Sequence, residues 1–236
     1  YLHDSLPNAT YVGFTGTPVD GTIEVFGPVV DSYTMTESVR DGITVNLVYD
    51  GRSARVMLDN EKVKQIEDYY AKCEREGANE HQLEESQKAV AQMEAIIGDP
   101  DRLCAVAKDF IHHYETRVAE GAMVAGKAMF VCMNRNIAYD LYKIIVEMRP
   151  QWSEKKISDD ETALTDKEKK ELKPIEKIKL VMTRSKDDEP ALYEMLGTKD
   201  DRKEFDRQFK NPKSNFKIAI VVDMWLTGFD VPELDT

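Results

Sequence analysis

The spacing of apolar residues changes along the chain and predicts three regions. Near the N-terminus, the β-branched and aromatic run at residues 9–14 and the alternating run at residues 43–49 predict two strands, each followed by a turn. Between residues 63 and 118, apolar side chains recur at intervals of three and four, which predicts three consecutive helices. The second helix is predicted to stop at Gly98, and the third to start at Asp99-Pro100.

From residue 127 onward, strands and helices are predicted to alternate in an open α/β sheet. The strands are the apolar runs at residues 128–133, 178–182 and 216–222. Strands that alternate with helices pair in parallel, and such sheets bind ligands at the carboxyl ends of their strands. Polar residues follow all three runs, so this edge of the sheet is the predicted ligand-facing edge. Residues 154–173 carry mixed charge and are predicted to form a solvated excursion or loose linker.

The composition is that of a soluble globular protein. The 236 residues are 42% hydrophobic and 32% charged, which allows a sizeable core and excludes collagenous, mucin-like and wholly disordered chains. No apolar run approaches the ~18 residues of a membrane-spanning helix, so no membrane partner is expected. A net charge of -12 argues against a protein that simply coats nucleic acid, since such a surface is basic.

The cysteines and the first residues bear on where the protein resides. Cys73, Cys104 and Cys132 are too far apart for a CxxC pair and odd in number, which favours a reduced, cytoplasmic protein. The sequence begins with Tyr1, and no charged leader precedes an apolar stretch, so there is no signal peptide to interpret. We therefore expect a piece of a longer protein.

The loop at residues 223–232 carries the most informative chemistry. A threonine hydroxyl followed by a glycine N–H, as at Thr227 and Gly228, can hold a phosphate oxygen because glycine lets the backbone approach closely. Asp230 can accept a hydrogen bond from a ribose hydroxyl. Taken alone, the pattern is more often an ordinary strand-to-helix turn. Trp225, within the same loop, is predicted to pack under it as core.

Several segments together resemble the motor subunit of type I restriction enzymes, and they occur in the family's order along nearly the whole chain. They are a run like helicase motif III at residues 6–18, the segments after it within residues 26–42, a motif IV-like run at residues 127–135 and a motif V-like run at residues 225–232. The family commonly has serine at the position of Asn134.

The resemblance implies a RecA-like α/β fold, a parallel sheet with flanking helices, plus a helical connecting segment. Residues 1–57 are then the end of a first RecA-like motor domain and the strand segment after it. Residues 58–121 are a helical connector. Residues 122–236 are most of a second RecA-like domain, incomplete at its C-terminus.

The resemblance also implies an activity and partners. Members of this bacterial family are site-specific deoxyribonucleases that defend against foreign DNA. They translocate double-stranded DNA with ATP and Mg²⁺, and they act together with methylation and specificity subunits. Roles carried over by resemblance are motor coupling, DNA binding and contact with the nucleotide. The motor-coupling role falls on Thr15, Gly16 and Thr17. The DNA-binding role falls on Arg135, Thr227 and Gly228, and contact with the nucleotide falls on Asp230.

The departures from the family pattern limit what the chain does alone. It contains no GxxxxGK[ST] loop and no Asp-Glu-Ala-Asp or Asp-Glu-Ala-His box, and it lacks motif VI and a nuclease domain. We therefore expect no catalytic residue in these 236 residues, no bound ATP or Mg²⁺, and no ATP hydrolysis. Two alternatives stay open: another superfamily 2 translocase, such as a type III restriction or DEAD/H-box protein, or a catalytically inert α/β interaction module.

Three further clusters are predicted to be structural. Adjacent His112 and His113 point about 100° apart on a helix, so no metal site is predicted. Asp187 and Asp188 precede Pro190 and are predicted to cap the helix that starts there. The lysines within residues 155–170 are interleaved with acids and predict a solvated face.

Overall fold

The structure is a computed structural model that describes residues 5–6, 8–16, 20–52, 93–226 and 228–236. The chain divides into two compact units, residues 1–53 and residues 54–236. The first predicted middle helix and most of the second lie outside the described residues. So do Thr17 and Thr227. The proposed domain bounds stay a prediction.

The unit of residues 1–53 contains two short helices, α1 (Asp20–Phe26) and α2 (Met35–Arg40). α2 begins with a capping box in which the Thr34 hydroxyl accepts from the Glu37 amide, while the Glu37 carboxylate accepts from the Thr34 amide at 2.7 Å. These hydrogen bonds also lower the pKa of Glu37, the backbone one most.

The two strands predicted for this unit are wrong. Residues 9–14 and 43–49 have no regular structure, and all their apolar side chains except the half-buried Tyr11 are exposed: Phe14 is 95% exposed and Val48 is 91% exposed. A strand is stable only where a neighbouring strand takes up its backbone hydrogen bonds. All described strands belong to the other unit, so these two segments have no such neighbour within their own unit.

The unit of residues 54–236 alternates helices and strands from residue 128, as predicted. Its elements are α3 (Pro100–Ala119), β1 (Ala128–Val131), α4 (Arg135–Met148), α5 (Asp166–Glu171), β2 (Ile178–Val181), α6 (Pro190–Met195), α7 (Lys199–Lys210) and β3 (Ile218–Val221). Residues 93–97 are helical and end at Gly98, and α3 starts with Asp99 as N-cap and Pro100 in its first turn, both as predicted. Within the described ranges, no helix has both the length and the apolar content needed to cross a bilayer.

The three strands form a parallel sheet in the order β1-β3-β2, which confirms the predicted fold class. Ala128 and Ile178 both lie opposite Ile218, so the three strands are in step. The chain passes from one edge of the sheet to the other and returns to the centre. The resulting architecture, a parallel sheet flanked by helices, is compatible with a RecA-like fold.

Both faces of the sheet are buried, which explains why the strands are apolar almost throughout. Ile218 and Ile220 belong to a core that includes side chains of α3 and α4, and Ala219 and Val221 belong to a second core with Phe209 of α7. Alternate residues of the central strand thus serve opposite faces.

The segment of residues 154–173 is not a loose linker. Leu164 and Leu172 are buried, and the backbones of Lys156 and Ile175 exchange hydrogen bonds of 3.1 and 3.0 Å. α5 in this segment starts with a capping box of Thr165 and Glu168. The mixed charge of the sequence reflects an exposed outer surface, while two leucines anchor the segment.

Candidate functional site

Arg135 joins two strands that do not touch each other. It is the first residue of α4, just after β1, and its Nη1 donates to the carbonyl of Thr183, after β2, at 2.6 Å. Its Nη2 lies 2.6 Å from both carboxylate oxygens of Asp188. Because β3 lies between β1 and β2, these two strands are roughly 10 Å apart, two strand spacings, and the Arg135 side chain reaches from the loop after one to the loop after the other. Arg135 therefore ties together the two outer loops at the carboxyl edge of the sheet.

Asp188 is an ion-pair partner and not a helix cap. Its side chain is 5% exposed, and besides Arg135 it accepts from the backbone N–H of Ser185 at 2.6 Å. The N-cap of α6 is Glu189, which makes no side-chain capping bond, so the cap prediction for Asp187 and Asp188 is wrong. A buried carboxylate such as that of Asp188 needs a cation and a hydrogen-bond donor, and Arg135 and the Ser185 amide provide them.

Asn134 caps α4 at the position where the resembling family commonly has serine. It is extended, with φ of -148°, and its Oδ1 accepts from the backbone N–H of Ile137 at 2.9 Å. Serine and asparagine are both favourable N-caps because each presents a side-chain oxygen to the first turn. This departure from the family pattern leaves the start of α4 and the placement of Arg135 intact.

Arg184 is a second guanidinium at this edge, in the loop after β2, and the sequence alone gave no reason to single it out. Its guanidinium carbon lies 4.4 Å from the centre of the Tyr193 ring. Its Nε is buried and finds no hydrogen-bond partner in the part of the chain that the structure describes. A buried donor without an acceptor costs about 1–3 kcal/mol, so such an atom calls for an explanation.

The loop after β3 is held by stacked aromatic rings. Trp225 lies parallel to Phe229, with ring centres 4.2 Å apart, and 5.3 Å from the ring of Phe209, which is fully buried. The packing predicted for Trp225 is confirmed. Trp225 has a φ of +66°, a left-handed conformation that costs a bulky residue free energy, and the stacked rings offset that cost.

The predicted phosphate-binding and nucleotide-facing residues of this loop are open to solvent where the structure describes them. Gly228 and Asp230 are exposed, and Gly228 has a φ of +67°, with nothing within 4 Å of the position a Cβ would take. Thr227 lies outside the described residues. No hydrogen bond or ion pair within the described ranges joins Arg135 to Gly228 or Asp230. The roles proposed for these residues stay predictions.

Thr15 and Gly16 lie in the unit of residues 1–53, where both are exposed. Gly16 has nothing within 4 Å of a notional Cβ, and Thr17 is outside the described residues. The coupling role inferred for this run therefore also stays a prediction.

Lys127 is buried directly before β1, which the sequence did not reveal. It is 0% exposed, its Nζ donates to the carbonyl of Phe216 at 2.6 Å, and it lies 5.2 Å from the Phe209 ring centre. Burial disfavours the charged ammonium, and with the nearby Lys217 it lowers the pKa of Lys127 to about 7. The lysine therefore lies beneath the aromatic rings that hold the loop after β3.

The residues present do not by themselves fit ATP and Mg²⁺. The 236 residues contain no phosphate-binding loop of the GxxxxGK[ST] type. Across the described ranges, no three His, Cys, Asp or Glu side chains come together in a group that could hold a metal ion. The chemistry that the carboxyl edge does offer is guanidinium groups and an open glycine backbone.

The chain is similar to known proteins over its whole length. The SWI2/SNF2 ATPase family matches residues 1–84. The endonuclease subunit of the type I restriction enzyme HindI from Haemophilus influenzae is 35% identical over the full chain. The putative MjaIXP and MjaVIIP endonuclease subunits from Methanocaldococcus jannaschii, also described as type I restriction enzymes, are 33% and 29% identical over 100% and 98% of the chain.

The chain spans about one fifth of the length of these curated relatives: 20% of two of them and 22% of the third. No solved structure matches it. The ATPase family match agrees with a superfamily 2 helicase-like protein. Over its whole length, the chain is thus related to a segment of the endonuclease subunits of type I restriction enzymes.

Proposed function

We propose that this chain is part of the ATP-dependent, DNA-translocating and DNA-cleaving subunit of a type I restriction–modification system. The observation that carries the proposal is the similarity of the entire chain to a segment of three such endonuclease subunits. The parallel sheet supports it, because its carboxyl edge carries the partly exposed guanidinium of Arg184 and an exposed glycine loop, groups suited to a phosphate backbone. The partners are double-stranded DNA and the methylation and specificity subunits, in the cytoplasm.

In this proposal the chain contributes DNA contact and coupling, not the cleavage of ATP. The DNA backbone lies along the carboxyl edge of the sheet, where Arg135 fixes the loops after β1 and β2. The stacked rings of Trp225 and Phe229 hold the third loop and present Gly228 to a phosphate. ATP supplies the energy for stepping from a site that these 236 residues do not complete, since they contain no phosphate-binding loop.

The complete subunit, assembled with its methylation and specificity subunits, provides the test. A triplex-forming oligonucleotide bound downstream of the recognition site reports translocation when it is displaced. We expect displacement that requires ATP and a duplex track. Binding of DNA without ATP hydrolysis by the complete subunit would instead favour the catalytically inert interaction module.

A glycine substitution links this test to the site. Gly228→Ala forces a side chain into a left-handed backbone at the DNA-facing loop and should slow displacement several-fold. Gly121→Ala is the matched control, because Gly121 has a φ of +66° and equally open surroundings but follows α3. Equal loss in both variants would assign the effect to backbone strain.

The isolated 236-residue chain is predicted to hydrolyse no ATP, with or without DNA. A phosphate-release assay checks this expectation. Robust turnover by the isolated chain would contradict the assignment of the nucleotide site to other parts of the subunit.

A further inference from the structure

We propose that Arg184 binds a backbone phosphate of the DNA, and that Arg135 is a positioning residue that holds the loop carrying Arg184. The inference rests on the proposed function, since it names the DNA-binding group at the same edge of the sheet. It revises the role that the family resemblance gives to Arg135. The two arginines lie in the loops after β1 and β2, and the structure surrounds them differently.

The charge of Arg135 is already neutralised within the protein. Its Nη2 contacts both oxygens of Asp188, whose side chain is 5% exposed, and its Nη1 is bound to the Thr183 carbonyl. For Arg135 to bind a phosphate, it would have to leave a buried carboxylate without its cation. Arg135 therefore binds groups within the protein and is not the residue that binds a phosphate.

Within the described ranges, no carboxylate is paired with Arg184 in this way. The described residues give its side chain no hydrogen bond and no ion pair, and its Nε is buried without an acceptor. The carboxylate that interacts with it most clearly is Asp201 of α7, but Asp201 Oδ2 is bound to both the amide and the hydroxyl of Thr198 at 2.7 Å. A guanidinium with an unmet donor and no paired carboxylate is available to an anion.

Tyr193 holds the Arg184 guanidinium in a fixed place. A guanidinium 4.4 Å from an aromatic ring keeps its charge and loses little further freedom when it binds a phosphate. The residue is partly exposed, so part of the side chain is open to solvent. Arginine in such a setting is suited to bidentate contact with phosphate oxygens.

Arg135 acts on this site through the backbone. It binds the carbonyl of Thr183, the residue immediately before Arg184, and Asp188 also binds the amide of Ser185, the residue immediately after. The two contacts flank Arg184 on both sides. The ion pair of Arg135 and Asp188 thus fixes the backbone from which Arg184 projects.

Titration of the complete subunit with a fluorescent DNA duplex, followed by anisotropy at several salt concentrations, separates the two roles. Each phosphate contact contributes about -0.9 to the slope of log K against log salt. Arg184→Ala should weaken binding about tenfold and make the slope shallower by about 0.9. Arg184→Lys should keep the slope, because it keeps the charge.

Paired changes at the ion pair are the control. Arg135→Met with Asp188→Asn removes one charge of each sign, so it should weaken binding while leaving the slope as in the wild type. Tyr193→Leu should weaken binding less than Arg184→Ala, also with the slope unchanged, whereas Tyr193→Phe should bind as the wild type does. If Arg184→Ala unfolds the subunit, the Tyr193 pair still tests the inference.

The outcomes are distinct. An Arg184→Ala subunit that binds DNA with wild-type affinity and slope overturns the inference but leaves the proposed function standing. The same holds if the slope falls only in Arg135→Met with Asp188→Asn. A wild-type subunit that binds no duplex at all overturns the proposed function itself.

Discussion

Two loops at the same edge of the sheet are held by different forces. The loop after β2 is tied down by the ion pair of Arg135 and Asp188 and by hydrogen bonds to its backbone. The loop after β3 is held by the rings of Trp225 and Phe229, stacked near Phe209. In the ionic loop Arg135 is paired within the protein, whereas Arg184 has no hydrogen bond or ion pair among the described residues. The aromatic loop is held through its rings, and its residues Gly228 and Asp230 are exposed.

The two modes of attachment leave different parts of each loop available to a ligand. Directional hydrogen bonds fix the backbone around Arg184 on both sides. Ring stacking is less directional and fixes the loop after β3 chiefly through two side chains. We therefore expect the two loops to respond differently to substitution, salt and pH, and each of the following predictions tests one side of the comparison.

The largest effect is expected at the base of the aromatic loop. Phe209 is 0% exposed and its ring lies 4.9 Å from that of Phe216 and 5.3 Å from that of Trp225. Phe209→Ala should lower the free energy of unfolding by about 3–5 kcal/mol, because it removes a buried ring and leaves a cavity. Urea denaturation measures it, and a loss under about 1 kcal/mol would show that this stack does not organise the loop.

The ionic loop should show a smaller but still large effect. Arg135→Ala leaves the Asp188 carboxylate, 5% exposed, without its cation and should cost about 2–4 kcal/mol. Arg149→Ala is the matched control, because Arg149 makes a two-point pair with Glu115 at 2.7 and 2.8 Å, but that carboxylate is 42% exposed. The control should cost about 1 kcal/mol or less. Equal losses in urea denaturation would remove the distinction between the two pairs.

The lysine beneath the aromatic rings should make stability depend on pH. The pKa of Lys127 falls to about 7 in the folded chain, below its ordinary value of 10.5, so the unfolded chain binds more protons between pH 7 and 10.5. Stability from this group therefore rises with pH across that window. Relative to Lys127→Met, the wild type should gain about 2–3 kcal/mol between pH 6 and pH 9. If the difference in free energy of unfolding between the wild type and Lys127→Met is the same at both pH values, Lys127 is not a buried lysine with a lowered pKa.

The smallest effect is expected at the start of α4. Asn134→Ala removes the side-chain oxygen that caps the helix and should cost about 1 kcal/mol, whereas Asn134→Ser keeps a cap and should change stability by a few tenths. Thermal unfolding of the two variants compares them directly. If Asn134→Ser lowers stability as much as Asn134→Ala does, helix capping does not explain the asparagine at this position.

The sheet was predictable because its strands are covered on both faces. A short, continuous apolar run such as Ile218–Val221 is typical of a strand in that position. The strands predicted at residues 9–14 and 43–49 failed for the complementary reason. Their pattern fits a strand, but strand formation depends on a neighbour that the pattern does not contain.

For the candidate site, the sequence predicted only its place at the carboxyl edge of the sheet and not the contacts between its side chains. The polar residues after each strand are visible in the sequence, but the pairing of Arg135 with Asp188 joins positions 53 residues apart. No local pattern shows that this pair forms, or that the Nε of Arg184 is left without an acceptor among the described residues. The burial of Lys127 could not be predicted for the same reason, because its contact with Phe209 joins residues that are far apart in the sequence.

Site-directed crosslinking tests most directly whether DNA lies along the carboxyl edge of the sheet. Asp223→Cys places a thiol at the exposed end of β3, and Val124→Cys places one at the exposed opposite edge, before β1. Each is introduced into the complete subunit, labelled with a photoreactive group and irradiated with duplex DNA, and the unchanged subunit, with its buried Cys132 and half-buried Cys104, gives the background. If DNA lies along the carboxyl edge, we expect crosslinks from position 223 and background levels from position 124. Crosslinks from position 124 alone would contradict this placement.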